Sequence, residues 1–272
     1  MRSIAIIGWL ALASAFGQTP RTEGRDWTLP SNLAVKQAGT QTWRFTCDYY
    51  TLDTKGHLMK RDRYSALYTR GLPGDAVRWN DVTLASNTDG SEKFPPAQKR
   101  EFMEGFSYPH ESYKEALKAD FFRGFPALAM QERNFVWDTL MIESFGQLEL
   151  EHLKLNAPYH VPDSADVEME GLGSFHHKDL QLIWTGISKR NGQECAVVDY
   201  QAFFNQVAFS NPVLNLIGRS HYWGQIWVSL ATKRIEYATL YEDVLGELKV
   251  QSLEKPMTVN VFRIGTFEPV GK

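Results

Sequence analysis

Several things are scarce or missing in this sequence, and each scarcity excludes something. Cysteine occurs twice, at Cys47 and Cys195, too rarely for a small scaffold held by many disulfides. Charge of one sign is not in excess. The net charge is -3, which gives no broad positive field, and no basic run interleaves with aromatics, so nucleic acid is not an expected partner. No apolar run after the N-terminal stretch reaches membrane-spanning length, so no span is expected in the mature chain. The sequence has no Gly-X-Ser-X-Gly elbow, no His-Glu-X-X-His zinc helix and no phosphate-cradling glycine loop. No catalytic residue and no cofactor follow from it. The nearest metal candidate is His176-His177 with Glu168, Glu170 and Asp179. Adjacent strand residues point to opposite faces, so a solvated loop is the better reading and no metal site is expected. In "YPHE", His110 and Glu111 read as a helix start, with the acid near the positive end of the helix dipole.

What is present is an ordinary globular composition, 43% hydrophobic and 22% charged, rich in aromatics at 13%. The opening "MRSIAIIGWLALASAFGQTP" has a positive start, a short apolar run from Ile4 to Ala13, and small residues at Ala13-Ser14-Ala15. These are the features of a secretory signal peptide, assigned to residues 1–18, with export to the periplasm or the extracellular space. No Asn-X-Ser/Thr acceptor occurs, which fits a bacterial envelope better than a eukaryotic secretory route. In an oxidising compartment Cys47 and Cys195 are expected to pair as a disulfide.

Residues 19–40 form a polar, turn-prone leader. "TWRFTCDYY" then alternates, with Trp43, Phe45, Cys47 and Tyr49 on one face, the period of a half-buried strand. "RDRYSALYTRGL" and "AVRWNDVTLA" follow across turn residues, making a meander. From residue 95 to 148 the texture turns helical. Pro95-Pro96 can open one helix, "HESYKEALKADFFRGFP" reads as a second, and Trp137, Leu140, Met141, Phe145 and Leu148 share one face of a third. Strands resume near Gly173. Asn191-Gly192 marks a hairpin, and "PMTVNVFRIGTFE" makes a last strand. The expectation is an α+β fold in a single domain, residues 41–272. It consists of one large curved antiparallel sheet, a partly closed barrel, with the helical insertion 95–148 packed on one side.

The richest segment is "HYWGQIWVSLATKRIEYATLYEDVLGELKV", residues 221–250. A turn at "ATKR" pairs Val228 with Tyr237. That register puts Tyr222, Ile226, Val228, Tyr237 and Tyr241 on a core face. The other face then carries Trp223, Trp227, Leu240 and Glu242, with indoles set among polar groups. Trp223, Trp227 and Leu240 become the candidate ligand contacts. The stretch Gly224 to Leu240, with the order of elements, resembles the periplasmic outer-membrane lipoprotein carrier family and its relatives. That resemblance implies an unclosed β-barrel with helices on its concave face and an acyl-chain cargo. The function expected is therefore an exported binding or carrier protein for an apolar, lipid-like ligand. Two alternatives stand beside it: an envelope hydrolase whose residues meet only in three dimensions, and a structural module whose aromatics are all core. Oligomeric state is not readable from the sequence.

Overall fold

In the computed structural model the described residues are Leu29 and 39–271, apart from 89–92, 113–114, 119, 163–165, 170, 212 and 253. The expected signal peptide, residues 1–18, lies outside them, as does most of the expected leader. The alternation of the sequence becomes strands: β1 (Gln41–Leu52), β2 (Leu58–Leu72), β3 (Ala76–Asn87), β4 (Gln98–Lys99) and β5 (Ser107–Pro109) come before the helix α1 (Met130–Glu143). After it come β6 (Pro158–His160), β7 (Asp166–Glu168), β8 (Gly173–His176), β9 (Leu180–Arg190), β10 (Gln193–Ser210), β11 (Leu214–Ser229), β12 (Ile235–Val250) and β13 (Met257–Pro269).

All thirteen strands belong to one antiparallel sheet that does not close, its main path running β4-β3-β2-β1-β13-β12-β11-β10-β8-β7. The first and last long strands pair over Trp43–Leu52 and Asn260–Pro269, so two meanders are joined at the middle of the sheet. Asn191 and Gly192 both have positive φ, 52° and 74°. They form a two-residue turn that joins β9 to β10, the conformation for which Asn-Gly is suited. Trp43, Phe45 and Cys47 are buried, as their alternation predicts. Trp79 stacks on Phe135 of α1 at 5.7 Å, and Phe45 meets the same ring at 4.8 Å. Each fully buried aromatic of this kind contributes about 1.5–3 kcal/mol.

Two of the three expected helices do not form. Within residues 95–126, Gln98–Lys99 and Ser107–Pro109 pair instead with the edge of β3, where Trp79 N–H donates to the Phe106 carbonyl and Arg100 N–H to that of Val82. Phe102, Phe106, Phe121, Phe122 and Phe125 pack on one another. Helix propensity is a few tenths of a kcal/mol per residue, and burial of this aromatic cluster and pairing of a free strand edge outweigh it. His110 is no helix start: it is buried, with Nε2 3.0 Å from Glu143 of α1.

The expected disulfide is also absent, and both cysteines are buried thiols. Cys47 lies on β1 and Cys195 on β10, with β13, β12 and β11 between them. Strands are spaced about 4.8 Å apart, and a disulfide needs Cα atoms within about 7 Å. Burial pushes the Cys47 thiol up to about 12, so it is neither a nucleophile nor a ready partner for exchange.

Candidate functional site

Helix α1 is buried on almost every side, including Glu132, Arg133, Asp138 and Glu143. Such a helix needs a partner for each charge, and the fold supplies one. Glu132 accepts from Arg100 at 2.6 Å. Arg133 donates to the Pro126 and Ala129 carbonyls. Glu143 accepts from Arg70 and Tyr68 and lies against His110. Beyond α1 the chain widens through a π turn, Ser144–Leu148. There a Cβ on Gly146 would come within 3.0 Å of Ile226 and 3.2 Å of Val228. The C-terminal end of the helix is thus seated directly on the sheet.

Over β10–β13 the rest of the helix stands off the sheet. A cavity of about 580 Å³ lies between the inner face of β10–β13 and the helical side that carries Asn134, Trp137, Asp138 and Met141 on α1 and Phe145 in the π turn that follows. This volume is within the range of about 300–1,000 Å³ of small-molecule sites. Its sheet wall is built from alternate residues, as the two-residue period requires: Leu214, Leu216 and Tyr222 on β11, Leu240, Glu242, Val244 and Leu248 on β12, and Val259, Val261 and Arg263 on β13. Leu128, 55% exposed, also lines it and marks an opening to solvent.

One cross-strand row breaks the apolar wall. Tyr222 pairs with Glu242, and Glu242 with Arg263. The Arg263 guanidinium donates to both Asp138 oxygens, at 2.5 and 3.0 Å, and its Nε donates to Glu242. Ser220 donates to the second Glu242 oxygen at 2.5 Å. Bidentate arginine–carboxylate pairing of this kind ties the helix to two strands. Burial pushes the Asp138 carboxyl up to about 6, against the opposing pull of Arg263. The Tyr222 hydroxyl is different. It is buried and has no hydrogen-bond partner, and burial followed by the Glu242 and Asp138 charges holds its pKa well above the ordinary value. The phenol is therefore a protonated donor with no acceptor among the described residues.

The hairpin register differs from the sequence expectation by one residue. Val228 pairs with Ile235 and Trp227 with Tyr237, with a bulge between them, because the connection spans five residues, 230–234. A one-residue slip moves a whole strand to the other face. Leu240 is accordingly on the cavity wall, whereas Trp223 and Trp227 are not among the cavity residues. They lie on the outer face, Trp223 stacked on Tyr241 at 5.7 Å and Arg190 3.8 Å above Tyr237. The helical face anticipated at Trp137, Leu140, Met141 and Phe145 does line the cavity, while Leu148 is exposed.

Asp138, Tyr222, Glu242 and Arg263 went unrecognised as a group in the sequence. Their signal was there: Arg263 shares strand parity with Val259, Val261 and Phe267, an inward position where a charge requires a partner. Of the metal candidates, Asp179 pairs with His160 at 2.7 Å and Glu170 lies outside the described residues. Among the described residues, no group of three or more His, Cys, Asp or Glu could hold a metal ion, and no helix is long and apolar enough to cross a membrane.

No protein-family model matches this chain, and no curated protein sequence matches it. Two solved structures are similar over most of its length. One is lipovitellin, from a study of its lipid–protein interactions, at 10% identity and a TM-score of 0.38, covering 85% of this chain and 25% of the other. The second is a protein provisionally named AttH from Nitrosomonas europaea, at 9% identity and a TM-score of 0.26, covering 92% of this chain and 57% of the other. This chain therefore spans about a quarter of the first and somewhat over half of the second.

Proposed function

We propose that this is an exported binding or carrier protein that holds an apolar, lipid-like molecule between α1 and the inner face of the sheet. The cavity carries the reading. It is large enough for a small-molecule guest, open at Leu128, and walled mainly by aliphatic and aromatic side chains on seven strands, β7 to β13, and a helix. Filling such a space removes apolar surface from water at about 25 cal/mol per Å², with few groups to fix the orientation of the guest. Export rests on the N-terminal charge, the short apolar run and the small-residue cleavage site.

Titration with N-phenyl-1-naphthylamine, an uncharged dye that brightens in apolar surroundings, tests the proposal. One saturable site per chain is expected. Val244→Phe, which puts a ring into the cavity, should weaken binding by tenfold or more. Failure of the unaltered protein to bind the dye saturably would end the carrier reading.

A further inference from the structure

The apolar wall sets the chain of a guest; the polar row sets its head. Asp138, Glu242 and Arg263 are the charged residues among those lining the cavity, and His177 is the one other histidine or acid there. Two carboxylates against one guanidinium leave an excess negative charge in a space closed off from most water. All three residues are buried. Arg263 already commits three of its five N–H donors, one on each nitrogen, to the two carboxylates, so neither of its two-donor forks is free for an incoming anion. The Tyr222 hydroxyl has no hydrogen-bond partner among the described residues, and its ring meets that of His177 edge-on, with centroids 5.7 Å apart.

Resting on the carrier reading, we propose that the cavity selects amphiphiles by the charge of their head. It accepts long-chain alcohols or amines, whose O–H or N–H groups donate to Asp138 and Glu242 and whose head lies within reach of the Tyr222 hydroxyl, and it rejects the free fatty acid of the same length. A carboxylate head would enter beside two like charges in a low-dielectric site, where repulsion is not screened as it is in water. An ammonium head would instead complete the neutralisation of the row. A neutral hydroxyl head falls between them, because it donates without changing the charge.

The test is displacement of the bound N-phenyl-1-naphthylamine at pH 8 by three twelve-carbon competitors: dodecylamine, dodecanol and dodecanoate. All three present the same chain, so differences report on the head. Dodecylamine is expected to displace the dye at a concentration at least tenfold below that required for dodecanoate. Asp138→Asn, which removes one negative charge, should shrink that ratio severalfold by strengthening dodecanoate and weakening dodecylamine, while dodecanol stays unchanged. Glu242→Gln should act in the same direction and serves if the first variant fails to fold. Equal displacement by dodecanoate and dodecylamine, or displacement by neither, would overturn the charge selection while leaving the dye-binding cavity intact. Loss of dye binding itself is the separate result that removes the carrier reading.

Discussion

Asp138 holds the helix to the sheet and carries an acid whose protonation the fold has altered. An ordinary aspartate titrates near 3.9; burial pushes Asp138 up to about 6. The folded state therefore binds this proton more tightly than the unfolded chain does. The resulting stabilisation is fully present below about pH 3.9 and is lost as pH rises through about 6. Two units of pKa correspond to about 3 kcal/mol. The groups that face this carboxyl are Arg263, Glu242, Tyr222, Tyr200, Tyr49 and Cys47. Comparison with Asp138→Asn, which cannot titrate, isolates the effect. Urea unfolding should show the unaltered protein gaining up to about 3 kcal/mol relative to the variant between pH 7.5 and pH 4. An advantage that instead grows toward pH 7.5 would mean that Arg263 stabilises the anion more than burial opposes it.

At the scale of elements, the β11–β12 hairpin shows how a single position decides which side chains meet a guest. Alternation along each strand was legible, and Leu240 and Trp223 were correctly placed on particular strands. The pairing between them was not, because the 230–234 connection and its bulge carry no strong turn signal. The consequence is measurable. Trp227 is half-buried on the outer face, so Trp227→Ala should cost about 1 kcal/mol and leave dye binding as it was. Trp79 is fully buried against Phe135, and Trp79→Ala should cost about 3–5 kcal/mol. Thermal unfolding of both variants, beside dye titration of the first, checks the assignment. Abolition of dye binding by Trp227→Ala would place the guest on the outer face instead.

For the molecule as a whole, the decisive pairing is β1 with β13. It joins strands more than two hundred residues apart in sequence and makes one sheet of two meanders. A single aromatic core crosses that seam, with Trp43 and Phe267 stacked at 5.6 Å. Unfolding should therefore be one cooperative transition, with tryptophan fluorescence and far-ultraviolet circular dichroism giving the same midpoint in urea. Separated midpoints would show that the two meanders unfold independently.

Local chemistry by itself determined much of this architecture. Period-two alternation made the strands around Trp43, Val77 and Phe267, and Asn191-Gly192 made its hairpin, because those effects act within a few residues. Tertiary structure alone decided the rest. Gln98–Lys99 and Ser107–Pro109 became edge strands because β3 offered unpaired backbone groups and Trp79 offered its N–H to the Tyr108 hydroxyl. Cys47 and Cys195 stayed thiols because three strands stand between theirs. The cavity and its polar row exist because register sets Tyr222, Glu242 and Arg263 side by side and α1 delivers Asp138 to them. Contacts between residues that far apart in sequence depend on the assembly of the whole sheet, which no local pattern encodes.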